Sequence, residues 1–197
     1  MKRLIFMRHG YLESNYKDYS KLKFIEFENL LTKKVNPKID KERNKAVLKV
    51  KTFLSDVNYI ICSKESRGIE TAQLVKEITG ITFEISPLLN EVSFTKGIID
   101  NKDIVDFDYL RKKILTQFYN SYYSEKFEDT KKRFLYFLDY VKELNYGTIL
   151  CITHGWFMRL IYIYSVRNSL ENISLKELLK AKVPDFLDSV EVEIDSE

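Results

Sequence analysis

Apolar residues along this chain follow two rhythms. Short unbroken runs, rich in β-branched residues, occur at 4–7, 57–62, 81–85 and 148–153, as expected of strands buried on both faces. Between them apolar positions recur three and four apart, the period of a helix with one buried face. Asp40 is placed to cap a helix running to about Leu54, with Ala46, Val47, Val50 and Phe53 on its inner side, and the pattern repeats over 66–78. Phe107, Leu110, Ile114 and Phe118 mark a helix within 103–122; Phe134, Phe137, Leu138, Val141 and Leu144 mark another within 126–144. Strands alternating with helices predict an α/β fold, a three-layer αβα sandwich around a largely parallel central sheet.

With 197 residues, 45% of them apolar, one substantial core is expected, in a single domain over 1–197 with a small helical insert at about 101–145. No repeat, low-complexity tract or Pro/Gly-rich linker interrupts it. The 32 basic and 29 acidic residues nearly cancel and form no basic stripe, so nucleic acid is not an expected partner. Cys62 and Cys151 each end an apolar run without a partner at metal-ligand spacing; they read as reduced core thiols, which points to the cytoplasm. The apolar run after Met1-Lys2-Arg3 stops at Met7, and no run approaches the ~18 apolar residues of a membrane span. Neither secretion nor membrane association is expected, and homodimerisation is left open.

In parallel sheets ligands gather beyond the carboxyl ends of the strands, and there the residues change the picture. The chain's two histidines both sit at such ends, in Arg8-His9-Gly10 and Thr153-His154-Gly155. One strand-end histidine would be unremarkable, a core imidazole satisfied by hydrogen bonds; a matched pair of His-Gly steps, drawn from six glycines, points to a ligand. Arg8 adds a planar cation whose fork suits phosphate oxygens. Arg67 follows another buried strand and falls in the first turn of the next helix, where it opposes the helix dipole unless an anion is present.

In this order, Arg8-His9-Gly10, Asn15, Ser63 with Arg67 and Thr71-Ala72, Leu89-Asn90-Glu91, and Thr153-His154-Gly155 resemble the motif set of the histidine phosphatase, or phosphoglycerate mutase-like, superfamily, branch 1. The resemblance spans about residues 2–160. It implies a metal-independent phosphatase, without cofactor, acting on a small phosphorylated metabolite through a phosphohistidine. His9 would be the nucleophile, Arg8, Arg67 and a protonated His154 the charge stabilisers, and Glu91 the proton donor. Arg8, Gly10, Tyr11, Asn15, Arg67 and His154 would contact the substrate. The chain departs from the family at Tyr11, where Glu is usual, at Lys64-Glu65, where Pro-Leu is usual, and at Ile69-Glu70; Glu13, Glu65 and Glu70 otherwise read as solvated. The lysine-rich, aromatic stretch 16–35 is placed to form a lid. Mutase-type phosphoryl transfer and a phospho-ligand-binding pseudoenzyme are the alternatives; the small insert argues against a mutase lid, and no GxxxxGK[ST], GxGxxG or HExxH motif supports a nucleotide or zinc site.

Overall fold

The computed structural model describes residues 1–13, 16, 21–94 and 106–195. In chain order its elements are β1 (Lys2–Arg8), α1 (Phe24–Leu31), α2 (Lys41–Leu48), a 3₁₀ turn (Thr52–Asp56), β2 (Tyr59–Cys62), α3 (Ser66–Thr79), β3 (Phe83–Ile85), a 3₁₀ turn (Pro87–Leu89), α4 (Phe107–Tyr119), α5 (Phe127–Glu143), β4 (Thr148–Thr153), α6 (Met158–Arg167), α7 (Leu175–Lys180) and β5 (Ser189–Ile194). The five strands form one sheet in the order β3-β2-β4-β1-β5. β1 to β4 are mutually parallel where they pair, and β5 closes the β1 edge antiparallel. All four expected strands are present, and the α/β reading holds.

The two faces of β1 explain the layers. Side chains alternate across a strand, so Leu4 and Phe6 face one way and Ile5 and Met7 the other. Leu4 and Phe6 belong to a core with Ile114 of α4, Phe134 and Phe137 of α5, and Leu160 of α6. Ile5 and Met7 belong to a second core with Leu48 of α2 and Leu74 and Val75 of α3. Each ring of the first core meets its neighbours edge-on or tilted; Phe6 lies 5.7 Å from Phe134 and 5.8 Å from Phe137, centroid to centroid. Cys62 and Cys151 are free and buried in these layers.

One local expectation is corrected, and two elements were not anticipated. The helix capped by Asp40, whose side chain accepts from the Arg43 N–H, stops at Leu48 rather than Leu54. Only Asn44 and Leu48 are buried on α2, too little burial to sustain further turns, and Val50, expected in the core, is 76% exposed. The stretch 16–35 contains a short helix, α1, whose Phe27, Leu30 and Leu31 are buried. Finally, β5 was not expected. Its Val190, Val192 and Ile194 alternate with Ser189, Glu191 and Glu193, the pattern of an antiparallel edge strand with one polar face, and Arg3 clamps Glu191 from β1 through two nitrogens at 2.9 and 2.8 Å. Among the described residues no helix is long and apolar enough to cross a membrane.

Phe6→Ala should lower unfolding free energy by about 3–5 kcal/mol, since a fully buried ring is removed from between two helix-borne rings. Urea denaturation with an unchanged slope and a lower midpoint is the expected record.

Candidate active site

The register of β1 against β4 pairs Arg8 with Thr153, so the residue after each strand lands beside the other. The His9 N–H continues the ladder by donating to the Thr153 carbonyl at 2.9 Å, and the His9 and His154 ring centroids stand 5.0 Å apart. β2 delivers Ser63 to the same edge: its N–H donates to the Ile152 carbonyl, and its Oγ lies 2.6 Å from His154 Nε2. α3 contributes Thr71, whose Oγ1 accepts from the Gly10 N–H at 2.9 Å, and Arg67. The sequence motifs, scattered over some 145 positions, therefore converge at one sheet edge.

Both histidines are buried and held neutral. His9 Nδ1 lies 3.0 Å from the Gly10 carbonyl, which can only accept; the proton therefore sits on Nδ1 and Nε2 keeps its lone pair. Burial, then the nearby charges of Arg67, His154 and Arg8, hold its pKa well below the usual imidazole value. His154 accepts at Nδ1 from Arg67 Nε at 3.3 Å, so its proton is on Nε2, facing the Ser63 hydroxyl. Burial and the same arginine push its pKa down as well. An arginine N–H occupies the nitrogen that a second proton on His154 would need, so the protonated His154 expected from the sequence would require Arg67 Nε to move off Nδ1.

Arg8 and Arg67 bracket this pair. Arg8 Nη1 donates to the Pro184 carbonyl, its guanidinium stacks 4.0 Å from the Phe186 ring centre, and its buried Nε has no acceptor among the described residues. A Cβ on Gly155 would come within 3.3 Å of that guanidinium, and one on Gly10 within 2.6 Å of the Asn44 side chain. The glycine of each His-Gly step thus makes room for a protein side chain, where the sequence suggested close approach of a ligand. Arg67 is 6% exposed and donates through Nη2 to Glu65 at 3.0 Å. Glu65, read from sequence as solvated, is drawn into this cluster with its side chain 10% exposed. It also pairs with Lys33 at 2.8 Å, accepts the Glu91 N–H at 3.1 Å and lies 3.8 Å from His154 Nδ1. No local pattern marked it.

Glu91 is seated by backbone. Its Oε1 accepts the N–H groups of Val92 and Phe157, and its Oε2 that of Trp156, at 2.9–3.0 Å. Three such donors alone would favour the carboxylate, but burial outweighs them and, with Glu65 nearby, raises the pKa. Oε2, with one donor, keeps the free lone-pair site on which a proton can ride.

Arg8, His9, Arg67, Glu91 and Gly155 all line one cavity of about 190 Å³. Its remaining walls come from α1 (Phe27, Leu30, Leu31), Lys33, α4 (Phe107, Arg111), Trp156, Arg159 and Val183. Of the other expected substrate contacts, Tyr11 is outside this wall; its ring lies under the Arg43 guanidinium at 3.7 Å and beside Phe186. Glu70 likewise has a structural task, accepting the Ile39 N–H. Asn15 falls outside the described residues. Sequence reasoning missed Arg111 and Arg159, which reach the cavity through tertiary packing alone, and Glu65, which stands behind Arg67; Lys33 belongs to the stretch 16–35 that the sequence placed over the pocket. Among the described residues no group of three or more His, Cys, Asp or Glu is arranged to hold a metal ion.

A mixed, mostly parallel sheet whose strand ends present two neutral histidines between two guanidinium groups defines an α/β protein with a cationic pocket. The chain belongs to the histidine phosphatase superfamily (branch 1), whose family model matches residues 4–183. A search of curated proteins finds no match. Among solved structures the chain is similar to YhfR of Bacillus stearothermophilus, at 19% identity and TM-score 0.65, over 99% of this chain and 92% of that one. It is also similar to a mycobacterial glucosyl-3-phosphoglycerate phosphatase solved with VO3, at 14% identity and TM-score 0.66, over 98% and 93%. The α-ribazole phosphatase of Shigella flexneri gives 17% and 0.58, over 98% and 91%. At these identities the likeness concerns the fold.

Two buried neutral histidines have a consequence for stability. Unfolded histidines take up protons near pH 6.5 and the native ones do so only at much lower pH, so stability is full above about pH 6.5 and falls as pH drops below it. Each contributes a slope of about 1.4 kcal/mol per pH unit in that window. Glu91, with its raised pKa, opposes by at most one proton at lower pH. Urea midpoints measured from pH 7 to 5.5 should fall steeply, and His154→Asn should remove about half of the slope.

Proposed function

We propose that this chain is a phosphatase that hydrolyses small phosphomonoesters through a phosphohistidine on His9, without requiring a metal ion. The observation that carries the reading is the state of His9: buried, neutral, with its proton engaged by the Gly10 carbonyl and its Nε2 lone pair available beside Arg8, Arg67 and His154. Family membership and a structural relative solved with inorganic phosphate support it.

In this mechanism the phosphoryl oxygens lie between Arg8 and Arg67. Lys33 balances the charge of Glu65, so both guanidinium groups retain a net attraction for a dianion. An arriving dianion also favours protonation of His154, which then adds a donor. His9 Nε2 attacks phosphorus in line; the P–N bond forms as the ester P–O bond breaks, and Glu91 gives its proton to the departing oxygen. The Glu91 carboxylate then takes a proton from water as that water attacks phosphorus. The P–N bond breaks, leaving neutral His9, protonated Glu91 and inorganic phosphate. Because the transition state is loose, positioning and charge stabilisation supply most of the acceleration. A raised Glu91 pKa suits the first step, since it keeps the acid protonated at higher pH than a solvated carboxyl.

His9→Ala should abolish acid-labile, alkali-stable labelling by a phosphorylated substrate and reduce turnover by several orders of magnitude; near-normal turnover would exclude the mechanism. Activity should survive exhaustive chelation.

Glu91→Gln separates proton donation from charge. Alkyl phosphates need a proton on the departing alkoxide, whereas nitrophenolate leaves without one, so the single-turnover phosphorylation rate should fall roughly 10²–10⁴-fold for alkyl esters and far less for 4-nitrophenyl phosphate. Equal losses would remove Glu91 as the acid.

A further inference from the structure

Arg159, in the first turn of α6, is 6% exposed, and among the described residues no acidic side chain lies within ion-pair distance of it. Its Nη1 donates to the Ala181 carbonyl at 2.8 Å, its guanidinium lies 5.7 Å from the Trp156 ring centre, and its buried Nε has no acceptor among the described residues. A buried cation without a counter-ion is costly. A second cation compounds the cost: Arg111 of α4 lines the same cavity, and its one acidic partner among the described residues is Asp108, a 3.3 Å contact to a side chain that is 73% exposed, of the kind that contributes little. Burial and repulsion from Arg111 lower the Arg159 pKa to about 10. Glu91, the acid whose field reaches Arg159, has its carboxyl committed to three backbone N–H groups.

These two arginines are distinct from the pair that brackets the histidines, and apolar surface from Phe27, Phe107, Trp156 and Val183 completes the wall around them. At about 190 Å³ the cavity is smaller than those that hold drug-sized ligands, so the body it accepts is about one ring in size.

We propose that Arg111 and Arg159 form a second anion subsite, and that the preferred substrates are small phosphomonoesters whose flat, apolar leaving group carries a carboxylate. The proposal rests on the phosphatase reading for its choice of ester. A carboxylate suits the guanidinium fork and, with a single charge, is less costly to bring between apolar walls than a second dianionic phosphoryl group.

Two matched pairs of probes test it. 4-Carboxyphenyl and 4-carbamoylphenyl phosphate have the same ring and phosphoryl group and differ in the charge at the far end. The non-hydrolysable 4-(phosphonomethyl)benzoate and its benzamide allow the same comparison by calorimetry without turnover. The wild-type chain should favour the carboxylate member by at least about tenfold in kcat/KM and in Kd. In Arg159→Gln and in Arg111→Met the ratio should fall towards one. Arg111 is partly solvent-facing, so that variant carries the test if loss of Arg159 prevents folding. Equal values for the two members in the wild type would overturn the subsite, as would variants that lower both members equally, since the arginines would then serve the phosphoryl group itself. Absence of turnover with a retained carboxylate preference in binding would reject the phosphatase reading and leave the subsite standing; failure of both phosphonates to bind would reject both.

Discussion

The pairing of β1 with β4 is the constraint on which the rest of the site depends. Their parallel register runs from Arg3 opposite Thr148 to Arg8 opposite Thr153, with every residue of 4–7 and 149–152 fully buried. A slip of one residue would turn Phe6 out of its aromatic core and Met7 into it, so the hydrophobic pattern itself forbids the slip. What the register protects is the step beyond the strands, where His9 donates to the Thr153 carbonyl and thereby stands beside His154. Rigid strands thus fix the position of the imidazoles to within the tolerance of a backbone hydrogen bond.

Burial then sets the protonation states. In a dry strand-end cluster each polar group has few partners, and the partner decides the proton: a carbonyl holds it on His9 Nδ1, and an arginine N–H excludes it from His154 Nδ1. Glu91 shows the same competition with the opposite sign, since desolvation favours its neutral form while three N–H groups favour its anion. Glu65 ties these groups together, joining Lys33 beyond α1, Arg67 on α3 and the Glu91 backbone. Two cations meeting one acid explain how a carboxylate is accommodated where the family usually has leucine.

What the sequence made legible was whatever local pattern encodes. Continuous apolar runs identified β1 to β4, and the two His-Gly steps identified the site, because strand ends in parallel sheets converge. Arg67 and Glu91 were legible through the resemblance to the family's motif set, and both line the cavity. β5 escaped because alternation over 189–194 in a charged C-terminal stretch resembles exposed chain until Arg3 and the β1 edge are known to be its neighbours. Glu65 escaped for a related reason: its enclosure comes from Lys33 and Arg67 jointly, and spacing carries no trace of a contact across 32 residues. The End-of-helix error at Leu48 came from counting Val50 as core when nothing packs over it.

Under the proposed mechanism, chemistry and selectivity fall to different parts of the fold. Of the groups that would act on phosphorus, Arg8, His9 and His154 sit at strand ends, Arg67 lies in the first turn of α3, and Glu91 is held by three backbone N–H groups. The apolar and cationic wall that meets the leaving group comes instead from α1, α4 and the start of α6, whose inner faces are fixed by packing. Substitutions on α1 or α4 can change that wall without disturbing the β1–β4 register, whereas none at the strand ends can change the wall alone. Tyr11 and Glu70, two of the departures from the family pattern, fit this division: one is held by Arg43 and the other by the Ile39 N–H, both outside the cavity. Neither lines the cavity, so their replacement bears on how the neighbouring loops pack, while under the proposed reading selectivity would rest with Arg111 and Arg159, residues that the strand-end motifs do not specify.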